Sequence, residues 1–102
     1  MDILTPKTIK LFYTDNPESK IPLLFWIEKI NKKKYQTPQE IILDFKKSDY
    51  IWNQRIIFNI GHNKFRLVVA FDFIRSVAFI KFIGNHKDYD KIDPKTIEYY
   101  KK

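Results

Sequence analysis

The sequence contains no cysteine. This absence excludes a disulfide scaffold, a thiolate zinc site and a cysteine nucleophile. Long hydrophobic runs are also missing, because the longest uncharged apolar stretch, residues 21–27, is far shorter than a bilayer span. That stretch follows several charged residues, so we expect no signal peptide. Together these absences favour a soluble, cytoplasmic protein that does not contact a membrane.

The length and hydrophobic content fit one compact unit. The chain has 102 residues, of which 44% are hydrophobic and 17% aromatic, enough to build a core without disulfides or a structural metal. We therefore expect a single domain over residues 1–102. A two-domain enzyme with separate cofactor and substrate lobes is excluded.

Arginine is scarce and unevenly placed. Residues 1–54 carry nine lysines against seven acids, a charge of +2, whereas residues 55–102 carry ten basic residues against five acids, a charge of +5. All three arginines, Arg55, Arg66 and Arg75, fall within residues 55–87, where Asp72 is the one acid. Because guanidinium groups bind phosphate with forked donors, this placement favours a polyanionic partner. An ordinary solvated sheet face is the alternative.

Proline marks the predicted helix starts. Four pairs of a capping residue and proline occur: Thr5-Pro6, Asn16-Pro17, Thr37-Pro38 and Asp93-Pro94. Apolar residues follow the first three pairs at helical spacing, which predicts two to three N-terminal helices. Thr37 and Glu40 have the spacing of a capping box.

From residue 50 the hydrophobic period changes from helical to two. Residues 55–60 and 64–73 alternate, and the turn at residues 61–63 joins them. Residues 77–83 are apolar on both faces except at Lys81, and a fourth short strand fits residues 50–52. The sequence thus predicts an α+β fold, with helices packed on a small antiparallel sheet of three to four strands and a short C-terminal helical segment.

Some residues of the second half suit cleavage of RNA without a metal. In that reaction the 2′-hydroxyl attacks the adjacent phosphorus, so the site needs a base, an acid for the leaving 5′-oxygen and cations for the phosphoryl oxygens. We assign Arg66 and Lys81 to the phosphate and His86, just after a strand, to acid-base chemistry. Tyr89 is expected to orient the phosphate or stack on a base. The alternatives are a capping role for His86 and packing for Tyr89.

Other polar residues extend this surface toward RNA binding. Lys64 and Arg66 share one parity of a strand, and Arg55 and Asn59 share one parity of its hairpin partner. The predicted RNA contacts are Arg55, Asn59, Asn63, Lys64 and Lys87. Asn63 is equally explained by its turn, and His62 is assigned to the turn. Solvated charges that deter edge aggregation are the alternative for the strand residues.

A metal centre is not expected. His86, Asp88, Asp90 and Asp93 are close in sequence, but Asp72 is the one carboxylate from the strands, whereas two-metal nucleases need carboxylates from several elements. We expect neither a metal nor another cofactor. Most aromatic residues fall on apolar stripes and are assigned to the core. Trp52 and the pair Tyr99-Tyr100 lie at edges that RNA or a partner can reach.

Two segments carry a family resemblance. They read Phe-Asn-Ile-Gly-His-Asn-Lys-Phe-Arg-Leu-Val-Val over residues 58–69 and His-Lys-Asp-Tyr-Asp-Lys-Ile-Asp over residues 86–93. In these segments the chain resembles the HigB family of type II toxins, within the RelE/ParE-like superfamily. One departure is Ile74-Arg75-Ser76, where the family often has Arg-Arg-Gly, and it weakens the expectation that this turn binds phosphate.

The resemblance implies a RelE-like fold and an endoribonuclease that cleaves mRNA, generally in the ribosomal A site. It also implies inhibition by a cognate HigA-like helix-turn-helix antitoxin. Two alternatives stay open. One is a ParE-like toxin that poisons DNA gyrase without cutting nucleic acid, and the other is a non-catalytic RNA-binding module whose basic sheet holds phosphate.

Overall fold

The computed structural model describes residues 1–4 and 6–98. Within these ranges the chain forms four helices and five strands, with a short 3-10 helix at Pro17–Ser19. In chain order they are β1 (Asp2–Leu4), α1 (Pro6–Asp15), α2 (Lys20–Asn31), α3 (Pro38–Asp44), β2 (Ser48–Trp52), β3 (Arg55–Ile60), β4 (Phe65–Asp72), β5 (Val77–Asn85) and α4 (His86–Tyr89). Within the described ranges, no helix has the length and hydrophobicity that crossing a bilayer requires.

The helices begin where capping and proline allow them to begin. Thr37 is the N-cap of α3, and its hydroxyl accepts a hydrogen bond from the Glu40 N–H at 3.3 Å. The Glu40 carboxylate in turn accepts from the N–H of Gln36, the residue before the N-cap, at 3.1 Å. The Thr37 half of the capping box is therefore confirmed, whereas the return bond goes to Gln36 instead of Thr37. Asn16-Pro17 begins the 3-10 helix that leads into α2. Thr5 lies outside the described residues.

The five strands form one mixed sheet in the order β1-β5-β4-β3-β2. Strands β2 to β5 are antiparallel, as predicted, and β2 confirms the fourth strand. The prediction of at most four strands is wrong, because β1 adds a fifth that runs parallel to β5. Three residues are too few to show an alternating pattern. In addition, Asp2 lies opposite Val77, so no local sequence signal marks this pair.

The sheet is covered on both faces. Its main core lies under α1 to α3 and includes Trp26, Phe58 and Leu67. On the other face, Val68 and Phe82 pack against side chains of residues 86–98, which we name the C-terminal segment. The second face is therefore partly occupied by the chain itself, and only groups near its margins stay accessible.

A β-bulge sets the position of Lys81. In the β4–β5 ladder Val68 lies opposite Phe82, whereas Val69 lies opposite Ile80. Lys81 is thus the extra residue of β5. Because of this extra residue, Ile80 faces the main core whereas Phe82, two positions later, faces the other side of the sheet.

Candidate functional site

Four polar or aromatic residues converge where the β3–β4 turn meets the start of α4. The guanidinium of Arg66 donates from Nη1 to Asn63 Oδ1 at 3.4 Å, and its Cζ lies 5.7 Å from the centre of the Tyr89 ring. Nε2 of His86 contacts the backbone carbonyl of the same asparagine. We name Asn63, Arg66, His86 and Tyr89 the Arg66 cluster. It contains three of the four residues predicted as catalytic and one predicted RNA contact.

The register of β4 and β5 brings the Arg66 cluster together. Arg66 lies opposite Gly84, and Phe65 lies opposite Asn85. Asn85 caps α4, since its Oδ1 accepts from the Asp88 N–H at 2.9 Å. His86 therefore begins a helix directly beside the β3–β4 turn, where Asn63 adopts a left-handed φ of 69° that asparagine tolerates.

The contact to Asn63 fixes the tautomer of His86. A carbonyl oxygen only accepts hydrogen bonds, so the proton of a neutral His86 ring must be on Nε2. Nδ1 is then the nitrogen that can accept a proton. The imidazole is exposed and therefore accessible to a substrate.

Tyr89 is half-buried and lies between Arg66 and the buried residues Val68 and Phe82 on the second face of the sheet. Its ring centre is 6.1 Å from that of Phe82. Burial raises the pKa of the Tyr89 phenol above its ordinary value of 10.0, and the charge of Arg66 opposes the shift without cancelling it. The hydroxyl is therefore protonated at neutral pH and serves as a hydrogen-bond donor.

Lys81 lies outside the Arg66 cluster. It is five positions before His86 in the sequence, which corresponds to about 16 Å along extended chain. Its ammonium group binds Glu98 Oε2 at 3.2 Å, and its side chain is 19% exposed. The hydrogen bond and charge of Lys81, followed by the charge of Arg55, lower the pKa of the Glu98 carboxyl. The structure does not place Lys81 against the same substrate atoms as His86.

The prediction that Arg55 contacts RNA does not fit the structure. Its side chain is 4% exposed, and Nη1 donates to the carbonyls of Pro94, at 3.1 Å, and Ile97. Nη2 binds Glu98 Oε1 at 3.2 Å. Alternation along β3 assigned Arg55 to the correct face of the sheet, but the C-terminal segment covers Arg55 on that face. This guanidinium holds the segment on the sheet instead of facing solvent.

The prediction that Lys64 and Arg66 share a face is also wrong. Lys64 lies in the turn before β4, where strand alternation does not apply, and its ammonium binds Glu18 Oε2 at 2.8 Å on the helix side of the sheet. That hydrogen bond and the charge of Lys64 lower the pKa of Glu18. His62 lies in the same turn with a φ of 55°, which fits the turn role predicted for it.

The last two predicted RNA contacts lie on either side of the Arg66 cluster. Asn59 is directly opposite Arg66 in the β3–β4 ladder. Its Oδ1 is buried and has no hydrogen-bond partner among residues 1–4 and 6–98. Lys87 is exposed at the second position of α4.

The remaining predictions concern metals and edge residues. In the part of the chain that the structure describes, no three side chains of histidine, cysteine, aspartate or glutamate converge as a metal site would need. Trp52 is exposed at the end of β2, as predicted. Ile74 is exposed at the tip of the β4–β5 turn. Tyr99 and Tyr100 lie outside the described residues.

Sequence reasoning missed a cleft of about 440 Å³ between α2, the loop after α3 and the end of β3. No motif marks it, because its walls come from three separate segments of the chain. The lining residues are Pro22, Phe25, Trp26, Lys29, Asp44, Phe45, Lys46, Lys47, Phe58, Asn59, Ile60 and Gly61. We name it the α2–β3 cleft.

Comparison with known proteins gives two findings. Residues 19–92 match the family described as HigB toxin, the RelE-like toxic component of a toxin-antitoxin system. A protein of Escherichia coli O6:H1 named mRNA interferase HigB is 29% identical over 65 residues. That alignment covers 62% of this chain and 63% of the relative, so the chain spans less than two thirds of the relative's length.

Proposed function

The chain belongs to the HigB family of RelE-like toxins, and from this membership we propose that it is a toxin that cleaves mRNA as an endoribonuclease. The observation that carries the proposal is the convergence of Arg66 and His86 on one residue, Asn63. We propose that residues 1–102 act as one toxin domain and that the Arg66 cluster is the active site.

The proposed reaction uses the 2′-hydroxyl of the RNA as its own nucleophile. This oxygen gives its proton to His86 Nδ1 and attacks the adjacent phosphorus, the bond from phosphorus to the 5′-oxygen breaks, and the departing 5′-oxygen takes up a proton from water. The products carry a 2′,3′-cyclic phosphate and a 5′-hydroxyl. Arg66 stabilises the charge that develops on the phosphoryl oxygens, because its guanidinium is held beside the reacting group before the reaction begins. No metal takes part in the proposed mechanism.

The proposal gives His86 and Tyr89 different roles. Nδ1 of His86 accepts a proton, since Nε2 is directed at the Asn63 carbonyl. Tyr89 donates a hydrogen bond to the phosphate, because its raised pKa keeps the phenol protonated. Lys87, exposed on the next position of α4, binds a flanking phosphate. Lys81 lies outside the cluster and its charge is paired with Glu98, so it takes no direct part in the proposed cleavage.

Two matched pairs of variants test this site in purified protein with a synthetic RNA. His86→Ala should lower kcat by about a hundredfold or more, the usual size of general acid-base catalysis, whereas His62→Asn removes an exposed imidazole from the adjacent turn without effect. Arg66→Ala should also lower kcat, whereas Arg75→Gln, on the β4–β5 turn, should not. Product ends are mapped, and cleavage should persist in EDTA.

Three results would reject the proposal. If His86→Ala and Arg66→Ala cleave like the parent protein while folded, the Arg66 cluster is not the active site. If the protein cuts no RNA and Arg66→Ala lowers RNA affinity alone, the chain is a binding module. If cells expressing it show DNA breaks with intact transcripts, it acts on gyrase.

We further propose three partners: mRNA, the ribosome and a HigA-like helix-turn-helix antitoxin. The charge of +5 in residues 55–102 supports attraction to ribosomal RNA and to an acidic antitoxin segment. Such partners place the protein in the cytoplasm. Neutralising Arg66 and Lys87 together should weaken ribosome association and its salt dependence. An unchanged salt dependence would exclude this surface as the ribosome contact.

A further inference from the structure

The α2–β3 cleft adjoins the Arg66 cluster at the open edge of β3. Ser48 of β2 lies opposite Phe58, and beyond this pair the Asn59 N–H donates to the Lys47 carbonyl at 2.9 Å. The pairing on this side of β3 thus extends to Asn59, which leaves Ile60, the last residue of β3, at the sheet edge. Asn59 lines the cleft and also lies opposite Arg66. A chain bound at Arg66 reaches the cleft by passing around this edge.

The mouth of the cleft combines an aromatic ring with cations. Phe25 is 66% exposed although it is a large apolar residue. Lys46 and Lys47 are exposed on the facing loop, and neither ammonium has an ion-pair partner within the described part of the chain. Lys29, in contrast, donates to the Asp44 carbonyl and lies 4.6 Å from the Phe45 ring centre. Two lysines are thus available for an anionic ligand.

Two lining residues of the cleft also carry unsatisfied polar atoms. Trp26 is 2% exposed, and its Nε1 donor has no hydrogen-bond partner among the described residues. The same holds for the acceptor Oδ1 of Asn59. Buried groups of this kind cost free energy unless a ligand or water satisfies them. Neither atom is exposed to the cleft, because both are buried and Asn59, directly opposite Arg66, lies on the other face of the sheet. Recognition of a ligand in the cleft therefore depends on Phe25, Lys46 and Lys47.

We propose that the α2–β3 cleft is a nucleotide-binding subsite for the RNA strand next to the cleaved bond. A base stacks on Phe25, and the adjoining phosphates bind Lys46 and Lys47. This inference rests on the proposed function, because it places the subsite beside the cluster that is to cut RNA. A cleft of 440 Å³ has the size of a small-ligand site, and base stacking together with backbone charge is how proteins hold single-stranded nucleic acid.

The first experiment measures RNA affinity without cleavage. In a His86→Ala background, binding of a short single-stranded RNA is followed over a range of salt concentrations with and without Lys46→Ala/Lys47→Ala. Loss of two phosphate contacts should make the slope of log affinity against log salt less negative by about 1.4. The control is Lys7→Ala/Lys10→Ala on α1, which removes the same charge from exposed positions and should leave the slope unchanged.

The second experiment uses the catalytic protein. Lys46→Ala/Lys47→Ala should raise KM severalfold with kcat unchanged, because the subsite lies outside the reacting bond. An RNA carrying 2-aminopurine beside the cut should lose fluorescence on binding, and Phe25→Leu should reduce that loss. Thermal melting confirms that each variant is folded.

The outcomes separate this inference from the proposed function. If RNA is cleaved but Lys46→Ala/Lys47→Ala changes neither KM nor the salt slope, the subsite is overturned and the nuclease stands. If no RNA is cleaved but the slope changes, the nuclease fails, whereas the binding of RNA by the cleft stands. If the double variant weakens only antitoxin binding, the cleft is a protein docking site and the inference is overturned.

Discussion

Replacing Arg55 by alanine should lower the free energy of unfolding by about 3 kcal/mol and release the C-terminal segment from the sheet. Hydrogen bonds to a charged group contribute about 1.5–3 kcal/mol each, and Arg55 donates to two backbone carbonyls, of Pro94 and Ile97. Water can reach this part-buried segment once the guanidinium is gone, so the lower end applies. The ion pair with Glu98 adds little, because that carboxylate is 76% exposed.

Urea and thermal unfolding measure this effect. For a domain of this size a loss of about 3 kcal/mol lowers Tm by roughly 12–24 °C. Lys81→Ala is the matched control, since Lys81 binds the same Glu98 from a more exposed position and should cost less than about 1 kcal/mol. The reasoning is refuted if Arg55→Ala melts like the parent protein and instead loses RNA affinity with a shallower salt slope. Arg55 would then be the RNA contact that strand parity predicted.

Three further changes test the packing around the fold. Gly84→Ala places a Cβ 2.7 Å from Cζ of the buried Phe82 ring and should lower stability by about 1–3 kcal/mol in urea, so an unchanged midpoint would contradict the contact. Thr37→Ala removes the α3 cap and should cost about 1 kcal/mol, which Thr37→Ser should restore. Hydrogen bonds from Lys33 and a buried tyrosine lower the pKa of Asp44 from 3.8. The Asp44 carboxylate therefore stabilises the fold above pH 3.8, its ordinary pKa. This contribution is lost as the pH falls through the lower pKa that Asp44 has in the folded protein. Asp44→Asn should flatten the acid side of the stability profile, and an unaltered profile would contradict the assignment.

The local parts of the fold could be predicted from the sequence. Helix starts are set by capping residues such as Thr37, and hairpins by turn residues such as Asn63, both of which act within a few positions of the chain. β1 could not be predicted in this way. Its pairing with β5 joins residues 75 positions apart, Asp2 and Val77, and three residues carry no usable period.

Only part of the candidate site could be predicted from the sequence, for a related reason. Alternation along a strand assigns a residue to a face but does not say what covers that face. Arg55 was placed on the correct side of β3, yet the C-terminal segment occupies that side. His86 and Tyr89 were found because they follow β5 directly, whereas the α2–β3 cleft needed three distant segments to be brought together.

The parallel pairing of β1 with β5 also imposes an order in time. Among the described strands β1 is synthesised before the others, and its one neighbour among them is β5, which begins at Val77. The chain as far as β5 must therefore leave the ribosome before β1 has a strand to join, and such distant pairing is slow to form. Any activity that depends on the completed sheet is withheld from chains whose synthesis stops short of β5.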